Sequence, residues 1–168
     1  AVDLLDAIAQ SCDVFFYEIA LKTGINNIAK ISREFGLGLP TGINLPGEKS
    51  GLIPDRKWKL DVKKQVWRPG ETIIAGIGQG YVLATPIQLA LMTARIANGG
   101  KKIKPTLLKS PILQASNANS VKVSEENLNI IKRAMEKVSL DEFGTGRNFR
   151  LGIKGCLLYT SDAADEVD

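Results

Sequence analysis

Ser11-Cys12-Asp13 places a hydroxyl and a carboxylate two residues apart, directly ahead of the apolar run Val14-Phe15-Phe16-Tyr17. A serine hydroxyl both donates and accepts, so it can relay a proton between an amine and a leaving group. A nearby carboxylate can hold an ammonium or accept a substrate N–H. The apolar run has helical spacing, so both side chains fall at or just before a helix N-terminus. There the free N–H groups and the positive end of the helix dipole favour an anion. Ser and Asp are also preferred N-cap residues, and taken alone the pattern reads first as a capped helix. The chain has no histidine, which removes a Ser-His-Asp triad and a Cys-His dyad. Serine chemistry would therefore use a lysine or a carboxylate as its base. With only Cys12 and Cys156 besides, the sequence offers no zinc site and asks for no cofactor.

A second stretch with site potential is Gly76-Ile77-Gly78-Gln79-Gly80. No Gly-Lys-Ser/Thr comes after it, and the spacing is not Gly-x-Gly-x-x-Gly, so neither phosphate-binding loop fits. The glycines suit a tight passage from a strand, Thr72-Ile73-Ile74-Ala75, into a helix. Gly78 and Gln79 are the residues of this stretch put forward for substrate contact.

The elements that must position these residues emerge from periodicity. Val2, Leu4, Leu5, Ile8 and Ala9 predict a helix ending near Gln10. A second helix should run from about Val14 to Lys22, with Gly24 beyond its end. A third should span Ile25 to Phe35, stopped by Gly36 and Gly38. Glu48 to Gly70 reads as a long irregular basic segment holding Trp58 and Trp67. Thr85-Pro86 opens a helix, with Thr as N-cap and Pro at the first position. It is apolar on most sides and should be buried. Lys102 to Leu108 reads as an edge strand, Ser124 caps a helix to about Val138, and Phe149 to Ile153 begins another strand.

Length and composition bound the class. The chain has 168 residues and 44% hydrophobic content, enough for one domain with a core. The net charge of +4 is carried by scattered Lys and Arg, and 6% aromatic content builds no stacking platform, so no nucleic-acid partner is expected. No apolar run reaches the roughly 18 residues of a membrane helix. Residues 156 to 168 hold Asp162, Asp165, Glu166 and Asp168 and no basic residue. They are expected to be a non-native or disordered tail, which leaves 1 to 155 as the domain portion.

Taken in chain order, the landmarks are Ser11-Cys12-Asp13-Val14-Phe15-Phe16-Tyr17, Phe35-Gly36-Leu37-Gly38, Thr41-Gly42-Ile43, Leu45-Pro46-Gly47-Glu48 and Ser50-Gly51. Then come Trp58-Lys59, Pro69-Gly70-Glu71-Thr72-Ile73, Gly76-Ile77-Gly78-Gln79-Gly80-Tyr81 and Thr85-Pro86-Ile87-Gln88-Leu89-Ala90. Over roughly residues 1 to 150 this resembles the transpeptidase domain of class B penicillin-binding proteins, most closely the elongation type. The resemblance implies an α+β penicillin-binding fold, mostly its helical part with part of the antiparallel sheet. It implies a serine acyl-enzyme D,D-transpeptidase that cross-links peptidoglycan stem peptides ending in D-Ala-D-Ala and is trapped by β-lactams. It further implies a periplasmic domain of an inner-membrane-anchored protein, with cell-elongation membrane partners.

Such domains place three motifs in one cleft: Ser-x-x-Lys, Ser-x-Asn or Ser-x-Asp, and Lys-Thr/Ser-Gly. Ser11 and Asp13 match the second and are the expected catalytic residues. Asp in place of Asn cannot donate, which alters the substrate contact. No Ser-x-x-Lys precedes Ser11. Lys22-Thr23-Gly24 spells the third motif but falls at a helix end only nine residues after Asp13, so it reads as a capped terminus. Lys154-Gly155 lies nearer the expected place, where the tail interrupts. The chain is thus expected to be a middle portion of the domain, inactive alone. Two rival readings stay open: a class D-like β-lactamase or β-lactam sensor, and a non-enzymatic domain whose basic Lys57 to Arg68 segment grips an acidic partner.

Overall fold

The structure, a computed structural model, describes residues 2–108 and 119–149. Its helices are α1 (Leu4–Ala9), α2 (Asp13–Thr23), α3 (Ile25–Glu34), the single turn α4 (Arg56–Trp58), α5 (Pro69–Gly76), α6 (Pro86–Ala97) and α7 (Glu125–Leu140). A π-helical turn, Lys59–Lys63, continues α4, and a 3-10 turn covers Arg147–Phe149. Among the described residues, β-pairing is limited to two isolated antiparallel bridges, Leu52 with Leu83 and Lys101 with Ser120. No described helix is long and apolar enough to cross a membrane.

The chain divides into two compact units, and the division falls inside α2, after Phe15. Of the described residues, the first unit comprises 2–15 and 124–149. In it α1 packs on α7, and the meeting surfaces are small: Ala7, Ala9 and Ala134 are buried, together with Met135 and Val138. Alanines let two helices approach closely. Asp3 caps α1 by accepting the Asp6 N–H at 2.9 Å, and Ser124 caps α7 by accepting the Asn127 N–H at 3.2 Å. Lys137 of α7 reaches Asp6 at 2.6 Å and Asp141 at 3.3 Å. The Thr145 N–H closes the end of α1 by donating to the Ala9 carbonyl at 3.0 Å.

The second unit is Phe16–Val123. Its buried cluster is Ile25, Trp67 and Ala75, with Tyr81 and Val82 packed against it. Gly76 is there because α5 passes so close to Ala20 that a Cβ would collide with the Ala20 methyl. Arg33 of α3 donates to the Ile53 carbonyl and to Asp55, each at 2.8 Å. That ties the loop after α3 back to the helix. Arg95 of α6 crosses over Gly36 and donates to the Glu34 carbonyl at 3.1 Å, satisfying an orphan acceptor at the end of α3.

The structure corrects several expectations from the sequence. Thr72 to Ala75 is helical, not a strand, because Pro69 sits at the first position and the Glu71 carboxylate accepts the Arg68 N–H at 2.7 Å. That start signal outweighs the β-branched run. Glu48 to Gly70 is not uniformly irregular, since α4, the π turn and the start of α5 fall inside it. Lys102 to Leu108 forms no strand, and Lys101 alone bridges. Phe149 lies in the 3-10 turn, and the strand expected beyond it falls outside the described residues, as does the acidic tail. The α6 helix is less buried than its composition suggests: Gln88 and Leu91 are its buried residues.

Candidate active site

Helix α1 ends in a turn in which the Cys12 N–H donates to the Ala7 carbonyl at 2.8 Å and the Ser11 N–H to the Ile8 carbonyl at 3.3 Å. This nested pair is the Schellman arrangement, and its pivot residue must be left-handed. Ser11 is that pivot, with φ 51°. The position usually belongs to glycine, because a Cβ there costs on the order of 1 kcal/mol. Ser11 is therefore the C-terminal pivot of α1, where the sequence also allowed an N-cap of α2. Asp13 is the first residue of α2, in its N-terminal turn. Its carboxylate is on the favourable side of the helix dipole.

Both side chains are exposed, and Cys12 between them is half-buried with a free thiol. A strained backbone bearing an exposed hydroxyl, next to an exposed carboxylate at a helix start, is a pair presented outward. It can hand on a proton and hold a cation or an N–H. Strain of this kind clusters where function requires a particular side chain.

The second pair of expected site residues lies in the other unit. Helix α5 ends in the same kind of turn: the Gln79 N–H donates to the Ile74 carbonyl at 3.0 Å and the Gly78 N–H to the Ala75 carbonyl at 3.1 Å. Gly78 is the left-handed pivot, with φ 78°. Here glycine fills the position, so Gly78 has a backbone reason to be present. Gln79 and Gly78 are exposed. Tyr81, just beyond, is held by Trp58, with ring centroids 5.2 Å apart, and by the Lys59 and Lys63 ammoniums above its ring.

Two residues important to this frame carry no obvious sequence signal of burial. Gln88 is fully buried and acts as a hub. Its side-chain N–H groups donate to the Leu39 carbonyl at 2.7 Å and the Ser50 carbonyl at 2.8 Å, and its oxygen accepts the Thr85 N–H at 3.0 Å. The spacing Thr85-x-x-Gln88 is the capping-box pattern, which is the one signal the sequence carries for it. Lys59 is 3% exposed. Its ammonium pairs with Glu71 and lies 5.8 Å from the centre of the Trp67 ring. Burial works to raise the Glu71 carboxyl, but the Lys59 ammonium and the Arg68 N–H outweigh it and hold it below the ordinary glutamate range. Lys22-Thr23-Gly24 is a helix end: α2 stops at Thr23, and Gly24, at φ 77°, is the N-cap that precedes α3. No cluster of His, Cys, Asp and Glu able to hold a metal occurs among the described residues.

Comparison with known proteins matches residues 1–156 to the penicillin binding protein transpeptidase domain. A peptidoglycan D,D-transpeptidase MrdA of Acinetobacter baumannii is 38% identical over 157 residues, covering 89% of this chain and 23% of that protein. MrdA of Salmonella typhimurium is 48% identical over 107 residues, covering 64% of this chain and 17% of its own length. The chain thus spans about a fifth of the length of these curated relatives. Among solved structures, PBP2 of Pseudomonas aeruginosa in complex with WCK 5153 superposes with a TM-score of 0.81 at 40% identity, covering 88% of this chain and 34% of that one. PBP2 of Helicobacter pylori in complex with MreC gives 0.80 at 36%, covering 90% and 28%.

Proposed function

This chain belongs to the family of penicillin-binding protein transpeptidase domains, and from that membership we propose that it forms one wall of the active cleft of a peptidoglycan D,D-transpeptidase of the elongation type. The fold is the helical portion of that family's α+β domain. In the whole protein, a serine hydroxyl attacks the carbonyl of the penultimate D-Ala of a stem peptide. The peptide bond breaks and the terminal D-Ala leaves with a proton on its amine. An amine of a neighbouring stem then attacks the ester, the serine oxygen recovers a proton, and the cross-link forms. Ser11 carries protons between nucleophile, leaving amine and incoming amine, and Asp13 holds the incoming ammonium or a substrate N–H. Gly78 and Gln79 are assigned to substrate contact. β-Lactams enter the same acylation and stay on the serine.

The observation that carries this reading is Ser11: an exposed hydroxyl on a left-handed pivot where glycine would be more stable. The whole protein is assigned to the periplasm with a membrane anchor. Its partners are stem peptides and the cell-elongation apparatus. The similar structures support this: one is a complex of PBP2 with MreC, and another is a peptidoglycan synthase complex that coordinates polymerization and crosslinking. Residues 156–168 are assigned no role in the domain.

The test is covalent labelling by fluorescent penicillin. A whole transpeptidase containing this segment should take up one label per molecule and release D-Ala from a pentapeptide substrate. The 168-residue chain alone should stay unlabelled, because it holds no Ser-x-x-Lys ahead of Ser11. Stable labelling of the isolated chain, or a whole protein that neither labels nor releases D-Ala, would overturn the proposal.

A further inference from the structure

The segment from Arg56 to Arg68 carries six cations against one carboxylate, Asp61. Two of those cations are neutralised: Lys57 by Asp61, and Lys59 by Glu71. Among the described residues, no salt bridge engages Lys63, Lys64 or Arg68, and all three are exposed. Between them stand exposed apolar side chains: Leu60 at 56%, Val62 at 58% and Val66 at 78%. Apolar side chains thus alternate with cations along this segment, so a partner that covered it would meet both.

The segment is also anchored by side-chain contacts beneath it. Lys59 is its pin, buried beneath it against Glu71, Trp67 and Tyr81. Trp58 of the same turn packs its ring against Tyr81 in a tilted arrangement, the planes 59° apart. Residues Lys59–Lys63 form a π-helical turn, a rare geometry that is frequent at functional sites. Lys64 ends that turn at φ 56°, a left-handed residue with a full side chain where glycine would be easier. Such a pre-ordered surface loses little freedom on binding.

We propose that the Leu60–Arg68 strap is a docking surface for an acidic protein segment that carries apolar side chains between its carboxylates. Charge complementarity selects the carboxylates. The exposed Leu60, Val62 and Val66 select a polypeptide over a purely hydrophilic polyanion, which would leave them uncovered. The strap belongs to the unit that does not contain Ser11 and Asp13, and the proposal stands independently of the transpeptidase reading.

The experiment titrates the 168-residue chain into a fluorescein-labelled peptide of alternating Glu and Leu, with oligo-Glu and phosphatidylglycerol vesicles as comparison probes. Two variants are measured beside it: Lys63→Glu/Lys64→Glu/Arg68→Glu, and Val62→Ser/Val66→Ser. All these side chains are exposed, so both variants should keep their circular dichroism; the charge variant also gives up the Lys63 ammonium above the Tyr81 ring, and its melting temperature should fall slightly while the fold is kept. The expected result is binding of the Glu-Leu peptide at least about tenfold tighter than oligo-Glu, weakened by salt, and about tenfold poorer in each variant. Equal affinity for oligo-Glu, or an unaffected Val62→Ser/Val66→Ser variant, would reduce the strap to a simple polycation and overturn the proposal. Binding to the vesicles but not the peptide would overturn it in favour of a lipid surface, and no binding of any probe would leave the strap without a docking role.

Discussion

At the scale of single residues, Ser11 and Gln88 make opposite demands. Gln88 is buried and each of its side-chain polar atoms is used, so its role is structural. Gln88→Leu keeps the volume but strands the Leu39 and Ser50 carbonyls and the Thr85 N–H. It should cost about 2–4 kcal/mol, read by urea denaturation. Ser11 is exposed, and its backbone is strained by the very presence of a Cβ. Ser11→Gly should therefore raise stability by about 1 kcal/mol relative to Ser11→Ala, part of it offset by glycine's greater freedom in the unfolded chain. Equal stability of the two variants would contradict the left-handed pivot. Of these two residues, the sequence exposed Ser11 through its spacing to Asp13 and the apolar run. It hid Gln88, because a glutamine on a helix is ordinarily at the surface and its acceptors, Leu39 and Ser50, are 49 and 38 residues away.

At the scale of elements, caps explain both what was legible and what was not. Thr85-Pro86 and Ser124 marked the starts of α6 and α7, because Ser, Thr and Pro act locally on the backbone groups beside them. Thr72-Ile73-Ile74-Ala75 read as a strand because β-branched residues favour extended backbone, while the deciding contacts came from outside the run. Those contacts are Glu71 on the Arg68 N–H, Lys59 on Glu71, and Trp67 Nε1 donating to Thr72 Oγ1 at 2.8 Å. Propensity yields to tertiary context of that kind. The turn ending α5 offers a direct check. Gly78→Ala forces a Cβ into φ 78° and should cost about 1–2 kcal/mol. Gln79→Ala touches only an exposed side chain and should leave the melting temperature within error, whatever it does to substrate contact. A stability loss from Gln79→Ala as large as that from Gly78→Ala would give the Gln79 side chain a structural role instead.

At the scale of the whole molecule, the ionic ties set a pH limit at each end of the range. In the Phe16–Val123 unit, Lys102 lowers the Glu34 carboxyl. Burial works against Asp55 and Glu71, but donors from Trp58, Arg33, Lys59 and Arg68 hold both low. Depressed carboxyls add stability above their ordinary values of 3.8 for Asp and 4.5 for Glu, and that stability is lost as the pH falls through the folded values. In the other unit, Asp6 and then Asp141 raise Lys137, so its contribution holds below 10.5 and fades as the pH rises above it. Thermal melts across pH should thus show an acid limb that flattens in Glu71→Gln. An acid limb unchanged by that substitution would remove the Lys59–Glu71 pair as a source of the acid sensitivity.

The family and its fold were legible from ordered landmarks, because Ser11-x-Asp13, Gly76 to Tyr81 and Thr85 to Ala90 each carry a backbone requirement along with a side chain. The central claim is that Ser11 is kept at a strained pivot for its hydroxyl. Its most direct measurement is the second-order rate of acylation by a β-lactam in a whole transpeptidase carrying Ser11→Gly, taken beside the melting temperature. The expected outcome is a folded protein, no less stable than the parent, that acylates more slowly by roughly 10²–10⁴. A folded Ser11→Gly protein that acylates at the parent's rate would contradict the claim.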